Sequence, residues 1–453
     1  MANAKGKSKL ATNVVQERAA LSMLAGMQFG GDRNIDAVCG YTKDPSADDY
    51  KSMYDRRGLA SNIVDAPAKT TWRKPPEITD GSEGKSDFMR EWESLRKRLK
   101  IYHYMERVDR LAGIGRYGVL LIGSKEGELD TPLDAVKSAE DIIFLSSFGE
   151  VYAKIKTFVT DTNDARFGHP LTYSMDLSGD IGSGIKKSLT DETVHWSRVI
   201  HVAEGLLENE IYGEPRLQKV YNYLQDIDKV VGSSAEGFWQ TAVPGYTIGP
   251  KKDYEFDAPE LEAAKEQWQE YIHGLQRLIA TEGLDWDEIK GQPMDPSKMF
   301  EVLISLISGK TGIPKRILLG SERGNLASTQ DEANWLGRVS ERQEQFAEPL
   351  ILRPLIDRLI SVKALTAPQE GEYAVEWKGL FYLNDLEQAK VYADRAAAIS
   401  AVSGKFPLDM FEKSELREAV GFDPEPEGEQ PVTQALDEGD KEVQAEFERL
   451  QEG

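Results

Sequence analysis

Thr311 to Leu359 reads TGIPKRILLGSERGNLASTQDEANWLGRVSERQEQFAEPLILRPLIDRL: a helix end, a glycine-punctuated loop and a long amphipathic helix. Just upstream, Asp295 before Pro296 predicts a helix start, because the Asp side chain accepts from unpaired amides while Pro sits in the first turn. Met299, Phe300, Leu303, Ile304, Leu306 and Ile307 then recur at helical spacing, and Gly309, Gly312 and Pro314 are expected to end the run. Gly320, Ser321, Glu322, Arg323, Gly324 and Asn325 form an expected exposed loop, since paired glycines and Asn allow backbone conformations that helices and strands do not use. Thr329 with Glu332 is a capping box that predicts a new helix directly after the loop. Along it Trp335, Val339, Phe346, Leu350, Leu355 and Leu359 fall about one helical turn apart. Pro349 and Pro354 are expected to bend this helix or split it. The stretch holds no catalytic residue set, which points to shape and assembly rather than bond chemistry.

Outward from this stretch the chain is mixed. From about 41 to 212, helical periods alternate with strand-like runs at Val119–Ile122, Ile142–Leu145 and Val199–Val202. Pro215 to Val231 reads as helix, with Val220, Leu224, Ile227 and Val231 on one face. Val243 to Gly249 is β-like, and Asp257-Ala258-Pro259 opens another helix carrying Leu261, Ala264, Trp268, Ile272, Leu275 and Ile279. Tyr373 to Trp377 reads as a strand and Asp385 to Ala401 as a helix. Residues 1–40 are small and polar around Leu21–Met27, as in a flexible arm. Gly421 to Gly453 carries eleven acidic residues against two basic ones, the composition of a solvated tail. The fold class is therefore α+β, predominantly helical.

Composition bounds the chemistry. A chain of 453 residues with 40% hydrophobic content is long enough for more than one packed unit. No apolar run reaches the length of a membrane span, and MANAKGKSKLATN at the start lacks an apolar signal core. Cys39 is the only cysteine, which excludes a disulfide or a thiolate zinc site within one chain, and five scattered histidines offer little to a metal. A net charge of −22 argues against a tight nucleic-acid binder, which needs clustered Lys and Arg to displace counterions from phosphates.

Three motifs invite an enzymatic reading. Gly113-Ile-Gly115-Arg-Tyr-Gly118 matches GxGxxG literally, but a dinucleotide site needs the glycines to follow a strand and open a helix. Here helical Tyr104, Val108, Leu111 and Ala112 precede and the strand-like VLLIG follows, which reads as a helix-to-strand turn with close backbone packing. Gly179 to Ser188 resembles a P-loop only loosely, because Ile185 stands where the phosphate-binding Lys belongs. His195 and His201 are too far apart on one strand to share a metal, and Ser197 lacks the glycines of a nucleophile elbow. A strand with packed aromatics and a structural Arg198 is the expectation there.

The order helix, Gly312-Ile313-Pro314, Leu318-Leu319-Gly320, loop with Asn325, polar Gln/Glu-rich helix, Glu348-Pro349-Leu350 resembles tailed-bacteriophage portal proteins, in particular the group once catalogued as a domain of unknown function. Tyr50, Tyr54, Ile63-Val64, Pro67 and Thr71-Trp72-Arg73 look like that group's N-terminal signature; Arg116–Ile122 and Val194–Ile200 look like two more. The resemblance spans roughly 50–425 in order. It implies a non-enzymatic ring subunit, usually in twelve copies, at one capsid vertex of the virion and assembled in the host cytoplasm. It also implies a division into flexible arm 1–40, wing 41–212, first stem helix 213–236, clip 237–294, second stem helix 295–316, tunnel loop 317–328, long wing helix with return strand 329–382, crown 383–425 and acidic tail 426–453. The implied partners are the major capsid and scaffolding proteins, the large terminase, a head–tail adaptor and transient non-specific double-stranded DNA, with no cofactor, metal or membrane. Trp239, Tyr246, Tyr254, Trp268 and Tyr271 are the candidate docking residues of the clip. A helical interaction scaffold, a smaller ring connector and a nucleotide-binding enzyme using the Gly-rich loops are the alternatives. Within the tunnel loop Arg323 is the cation placed to touch phosphate transiently. Arg323→Ala is expected to leave ring assembly intact and to alter DNA retention; equal packaged length and retention in mutant and wild-type particles refutes this.

Overall fold

Ser46 starts the first sustained helix by satisfying two amides at once. Its hydroxyl accepts from the Asp49 N–H at 3.2 Å while the Asp49 carboxylate accepts from the Ser46 N–H at 2.8 Å. Helix α1 (Ile35–Cys39) precedes this cap, α2 (Ala47–Arg56) follows it, and α3 (Gly58–Thr71) packs on α2. After the short strand β1 (Glu77–Thr79), Ser86 caps α4 (Asp87–Arg98). Lys100, at φ 52°, makes the corner into α5 (Ile101–Ile114). In the computed structural model residues 34–82, 84–178, 191–242, 245–250, 284–289, 295–320, 327–369, 371–380 and 385–403 are described, with isolated positions between 259 and 269 and at 417.

Strand β2 (Gly118–Ser124) is the centre of a three-stranded antiparallel sheet, flanked by β3 (Ile142–Gly149) and β7 (Val199–Val202). Its unbroken apolar run has a simple cause. Leu120 and Ile122 point into a core shared with α5, while Val119 and Leu121 point into a second core shared with Tyr173, Met175 and Val194. Those last residues lie on the sheet β4 (Ala153–Phe158), β5 (Pro170–Met175) and β6 (Glu192–His195). Each of these buried Leu, Ile and Val side chains contributes roughly 1.5–3 kcal/mol against leaving it in water.

A third core joins α3 to the helices further along the chain. Pro215 and the turn Gln218–Val220 keep the chain out of α-helix, so α6 begins at Tyr221 and runs to Ala242, later at both ends than the periodicity predicts. Strands β8 (Gly245–Pro250) and β9 (Leu284–Ile289) pair antiparallel, with Tyr246 opposite Glu288. Asp295 then accepts from the Ser297 N–H at 3.0 Å, and α7 (Ser297–Thr311) runs straight through Gly309 to end at Gly312, which takes the left-handed φ of 69°. Leu224 and Ile227 on α6, and Leu303, Ile304 and Ile307 on α7, pack with Ile63, Val64 and Val339.

After α8 (Lys315–Leu319), α9 spans Ala327–Arg342, so Thr329 falls inside its first turn instead of capping it; Ala327 and Ser328 extend the helix upstream, Ala being the strongest helix former. Pro349 does not break the helix. From Gln343 to Leu352 the turns widen to π geometry, the Arg353 amide reaching Glu348 O, and the wider turn takes up the proline ring. Pro354 sits in the first turn of α10 (Arg353–Ser361), where a missing N–H costs nothing. Strand β10 (Ala374–Glu376) returns to pair with β1. The described chain is thus α+β and mainly helical. Chain contacts group 1–380 as one unit and 381–453 as another, whose described part is chiefly α11 (Asp385–Ser403).

The GxGxxG glycines are steric. A methyl on Gly113 would stand 2.7 Å from the Arg216 guanidinium, and one on Gly115 3.1 Å from Glu150 Oε2. On Gly118 it would stand 2.8 Å from Val108 O and 2.9 Å from Ala112 N, so the strand can lie directly on the helix backbone. Gly118→Ala is expected to destabilise the chain by about 1–3 kcal/mol, because backbone and not a flexible side chain must give way. Urea denaturation checks this; a midpoint equal to wild type refutes it.

Candidate functional site

Asp109 lies on the buried face of α5 with no exposed surface, and four donors converge on it. Trp72 Nε1 donates to Oδ2 at 2.9 Å, Arg342 Nη1 to Oδ2 at 2.9 Å, Arg342 Nη2 to Oδ1 at 2.6 Å and Arg216 Nη2 to Oδ1 at 2.6 Å. Glu204 closes the group, accepting from Arg342 Nε at 2.7 Å and Arg216 Nε at 2.8 Å. The remaining donors of the two arginines reach Thr71 Oγ1 at 2.8 Å and the Val64 carbonyl at 2.6 Å. Two cations and two anions cancel, with the forked guanidinium geometry satisfying both carboxylates. Burial alone pushes the Glu204 carboxyl up, but Arg216 and Arg342 outweigh it and hold the group at about 2 against an ordinary 4.5. Burial likewise pushes Arg342 down, and Asp109 with Glu204 raise it overall. This group ties α3, α5, the root of α6 and the end of α9 together.

From that root project α6 and α7. Helix α7 is apolar on two faces: Leu303, Ile304 and Ile307 are buried, whereas Met299, Val302 and Leu306 are 55%, 54% and 45% exposed. Below its end, a cavity of about 360 Å³ is lined by Thr70, Arg73, Ile317, Gly320, Trp335 and Leu336, among others. Gly320 ends α8 at a left-handed φ of 68°, so the loop predicted at 320–325 springs from the rim of this cavity. Ser321, Glu322, Arg323, Gly324 and Asn325 themselves lie outside the described residues. Of the predicted docking residues, Trp239 is 70% exposed on α6 and Tyr246 lies on β8. Tyr254, Trp268 and Tyr271 lie outside the described residues, as do the 1–33 part of the arm, the Gly-rich segment 179–188 and the acidic tail.

The two histidines do not share one strand. His195 ends β6, Trp196–Arg198 forms a tight turn, and His201 sits in β7, because the chain passes between sheets at this point. His195 Nδ1 lies 2.8 Å from Ser197 Oγ, and that oxygen accepts from the Leu133 N–H at 2.7 Å, so the pair braces a turn. His201 stacks on Tyr117 and pairs with Ile211 O at 2.8 Å; burial pushes its pKa down to about 4. Arg198 is buried as a structural residue, donating to Thr131 O and Ser124 Oγ. Among the described residues no three His, Cys, Asp or Glu side chains converge as metal ligands, and no helix is long and apolar enough to cross a membrane.

The family described as phage portal protein matches residues 48–401, most of the chain. The chain belongs to the phage portal protein family. Its function is that of a portal protein. Solved structures similar to this portal chain include the virion of a native gene transfer agent particle, at 15% identity and TM-score 0.47, covering 86% of this chain and 99% of that one. The neck of an empty gene transfer agent particle gives 17% identity and TM-score 0.46 over 86% of this chain and 99% of that one. An HK97 family phage portal protein from Corynebacterium diphtheriae gives 10% identity and TM-score 0.39 over 73% and 94%. No curated protein matches the sequence.

The charged group at Asp109 was missed by the sequence reading. Its signal was available: Asp109 and Arg342 are charges set within the buried stripes Met105–Val108–Ala112 and Val339–Phe346. For Glu204 the pH dependence follows from its depressed pKa. Its contribution is present above pH 4.5 and lost as pH falls toward 2. Glu204→Gln is expected to destabilise the portal chain at pH 7 by about 3–5 kcal/mol, since it removes one partner of a buried ionic group, and to flatten stability across that window. Urea denaturation in a pH series checks it, and curves that run parallel from pH 4.5 to 2 refute it.

Proposed function

We propose that this portal chain is the repeating subunit of a closed ring, usually of twelve copies, at one capsid vertex, and that the ring is the channel for double-stranded DNA during packaging and ejection. Family membership carries the reading, and helix α7 supports it. A helix with apolar residues on two faces needs two neighbours, and among the described residues α6 with the adjoining core covers only one of them. In a ring, the stripe Met299–Val302–Leu306 meets the next subunit, and closed symmetry leaves no edge exposed.

In this reading α6 and α7 are the stem, 237–294 is the clip, 383–425 is the crown, and the loop rooted at Gly320 faces the channel. Exposed Trp239 supports a docking role at the end of the stem. The large terminase would dock there first and the head–tail adaptor later, with the major capsid and scaffolding proteins around the wing. An acidic channel wall would repel phosphates and let DNA slide. The subunit acts by shape, with no bond chemistry of its own.

Light scattering with negative-stain imaging tests this. The expected particle is a ring with a central hole and a mass about twelve times the 50.6 kDa of one chain. Val302→Asp, at an exposed position, is expected to abolish the ring while leaving monomer melting unchanged. Rings of unaltered stability in that variant refute the α7 contact, and a wild-type chain that stays monomeric with capsid and scaffolding proteins present returns the reading to an interaction scaffold.

A further inference from the structure

Leu207 is 94% exposed, more than any other large apolar side chain among the described residues, and Leu206 beside it is exposed as well. The loop that carries them, Glu204–Glu214, is firmly built. At its base the Glu214 N–H donates to Glu204 O at 2.8 Å and the Gly213 N–H to Arg116 O at 2.8 Å. A methyl on Gly213 would stand 2.1 Å from Glu204 O, so glycine is what lets the two limbs lie this close. Further out, Asn209 Oδ1 accepts from the N–H groups of Ile211 and Tyr212 at 2.8 and 2.9 Å, and His201 Nε2 pairs with Ile211 O at 2.8 Å. The Arg116 guanidinium covers the Tyr212 ring at 4.4 Å. Two leucines are thus held out to solvent on a fixed frame, so a partner that covers them pays little for ordering the loop. Glu208 and Glu210 flank them, both exposed.

A recess of matching chemistry lies near the end of α7. Val302, Ser305, Leu306 and Gly309 stand at i, i+3, i+4 and i+7, the four corners of the hole that a helix offers to a side chain from another element. All four are exposed. Ser305 turns its hydroxyl back onto Glu301 O at 2.6 Å, so no unsatisfied donor points into the hole. Gly309 leaves one corner empty. A methyl there would meet nothing within 4 Å, so the subunit's own packing does not require a glycine, which weakens a helix relative to alanine. Lys310 sits one turn beyond Leu306 on the same side, exposed. Neither Lys310 nor Glu208 has an ion pair among the described residues.

Loop and recess lie at one level of the subunit. The end of α7 packs against the turn Gln218–Val220 and Leu224, and Arg216, just before that turn, holds Glu204 at the base of the loop at 2.8 Å. Rotation about a ring axis leaves height along that axis unchanged, so with the stem helices running along the axis, only features at one level can meet between copies. We propose that the Leu206–Leu207 loop of one copy seats on the Val302–Gly309 recess of the next, with Leu207 as the knob and Glu208 set against Lys310. The inference rests on the ring reading above and names what the upper end of the α7 stripe meets. A second copy is the occupant because each half supplies what the other lacks: an apolar knob for an open apolar hole, and an acid for an unpaired lysine. A head-to-tail contact of this kind repeats identically at every interface.

The test uses the full-length chain, with assembly followed by light scattering over a dilution series and with melting of the dissociated chain. Leu207→Ser is expected to raise the concentration of half-assembly about tenfold or more and to leave melting unchanged, because the side chain is exposed in the single subunit. Glu208→Lys and Lys310→Glu are each expected to raise it about threefold, and the two together to bring it back close to wild type. In a Cys39→Ser background, Leu207→Cys with Leu306→Cys is expected to cross-link under oxidation into a ladder of chain multiples. Wild-type assembly of Leu207→Ser overturns the proposal and gives the loop to a partner other than a second copy. A melting loss that matches the assembly loss also overturns it, since the leucine would then be an internal support. Charge variants whose effects simply add remove the pairing of Glu208 with Lys310. Rings that form without the cross-link overturn this contact and leave the ring reading standing; a wild-type chain that forms no ring removes both.

Discussion

Asp109 and the two arginines that reach it hold four parts of the chain to one geometry. Arg342 arrives from the end of α9, Arg216 from the approach to α6, Trp72 from the end of α3, and Asp109 itself from α5. A buried ionic group of this kind is weak grounds for stability, because removing charges from water costs several kcal/mol per ion before their attraction is counted. Its contribution is specificity. Apolar helix faces tolerate a slide of one turn past each other; a pair of forked guanidiniums on two carboxylates does not. The glycine at 113 belongs to the same constraint, since Arg216 occupies the space its side chain would fill.

From this fixed point the rest of the long helix can be understood. Gln343, next to Arg342, donates to Thr71 O at 2.8 Å, so the helix is pinned at its entry to the π segment. Ile351, Leu352, Leu355 and Ile356 are fully buried at the other side of that segment. With both flanks held, the helix cannot rotate to relieve the clash that Pro349 would cause in α geometry. Widening the turn is the remaining solution, and it keeps both buried faces in register. Upstream of Arg342, α9 leads back toward the loop rooted at Gly320, so the same anchor fixes where that loop leaves the body.

Much of this was legible in the sequence, and the misses have physical causes. The run Val119–Ile122, the stripe Leu303–Ile304–Ile307 and the strand near Val199 are set by burial patterns that local periodicity exposes. The GxGxxG segment was correctly read as packing because the order of helix and strand was wrong for a dinucleotide site. The start of α6 was misplaced because the period of Val220, Leu224 and Ile227 continues smoothly backward to Arg216, whereas Arg216 and Leu217 form a turn and Gln218–Val220 a 3-10 turn, with Arg216 drawn to Asp109 and Glu204. The π segment was read as a bend or a split for a related reason, as proline alone says that a turn is disturbed and packing decides how. The loop expected at 320–325 lies outside the described residues beyond Gly320; the place of Gly320 at the rim of a cavity between α3, α8 and α9 depends on contacts far apart in sequence.

Charge is distributed by the same logic. Arg110, Arg116, Arg216, Arg342 and Arg353 are neutralised within the subunit by Asp65, Glu150, Glu204, Asp109 and Glu348, so these pairs contribute nothing to the net charge of −22. The excess is therefore carried by the other acids. In the ring proposed above, these demands are compatible: cations locked inside set the geometry of the frame, and an excess of anions would keep phosphates from adhering to it.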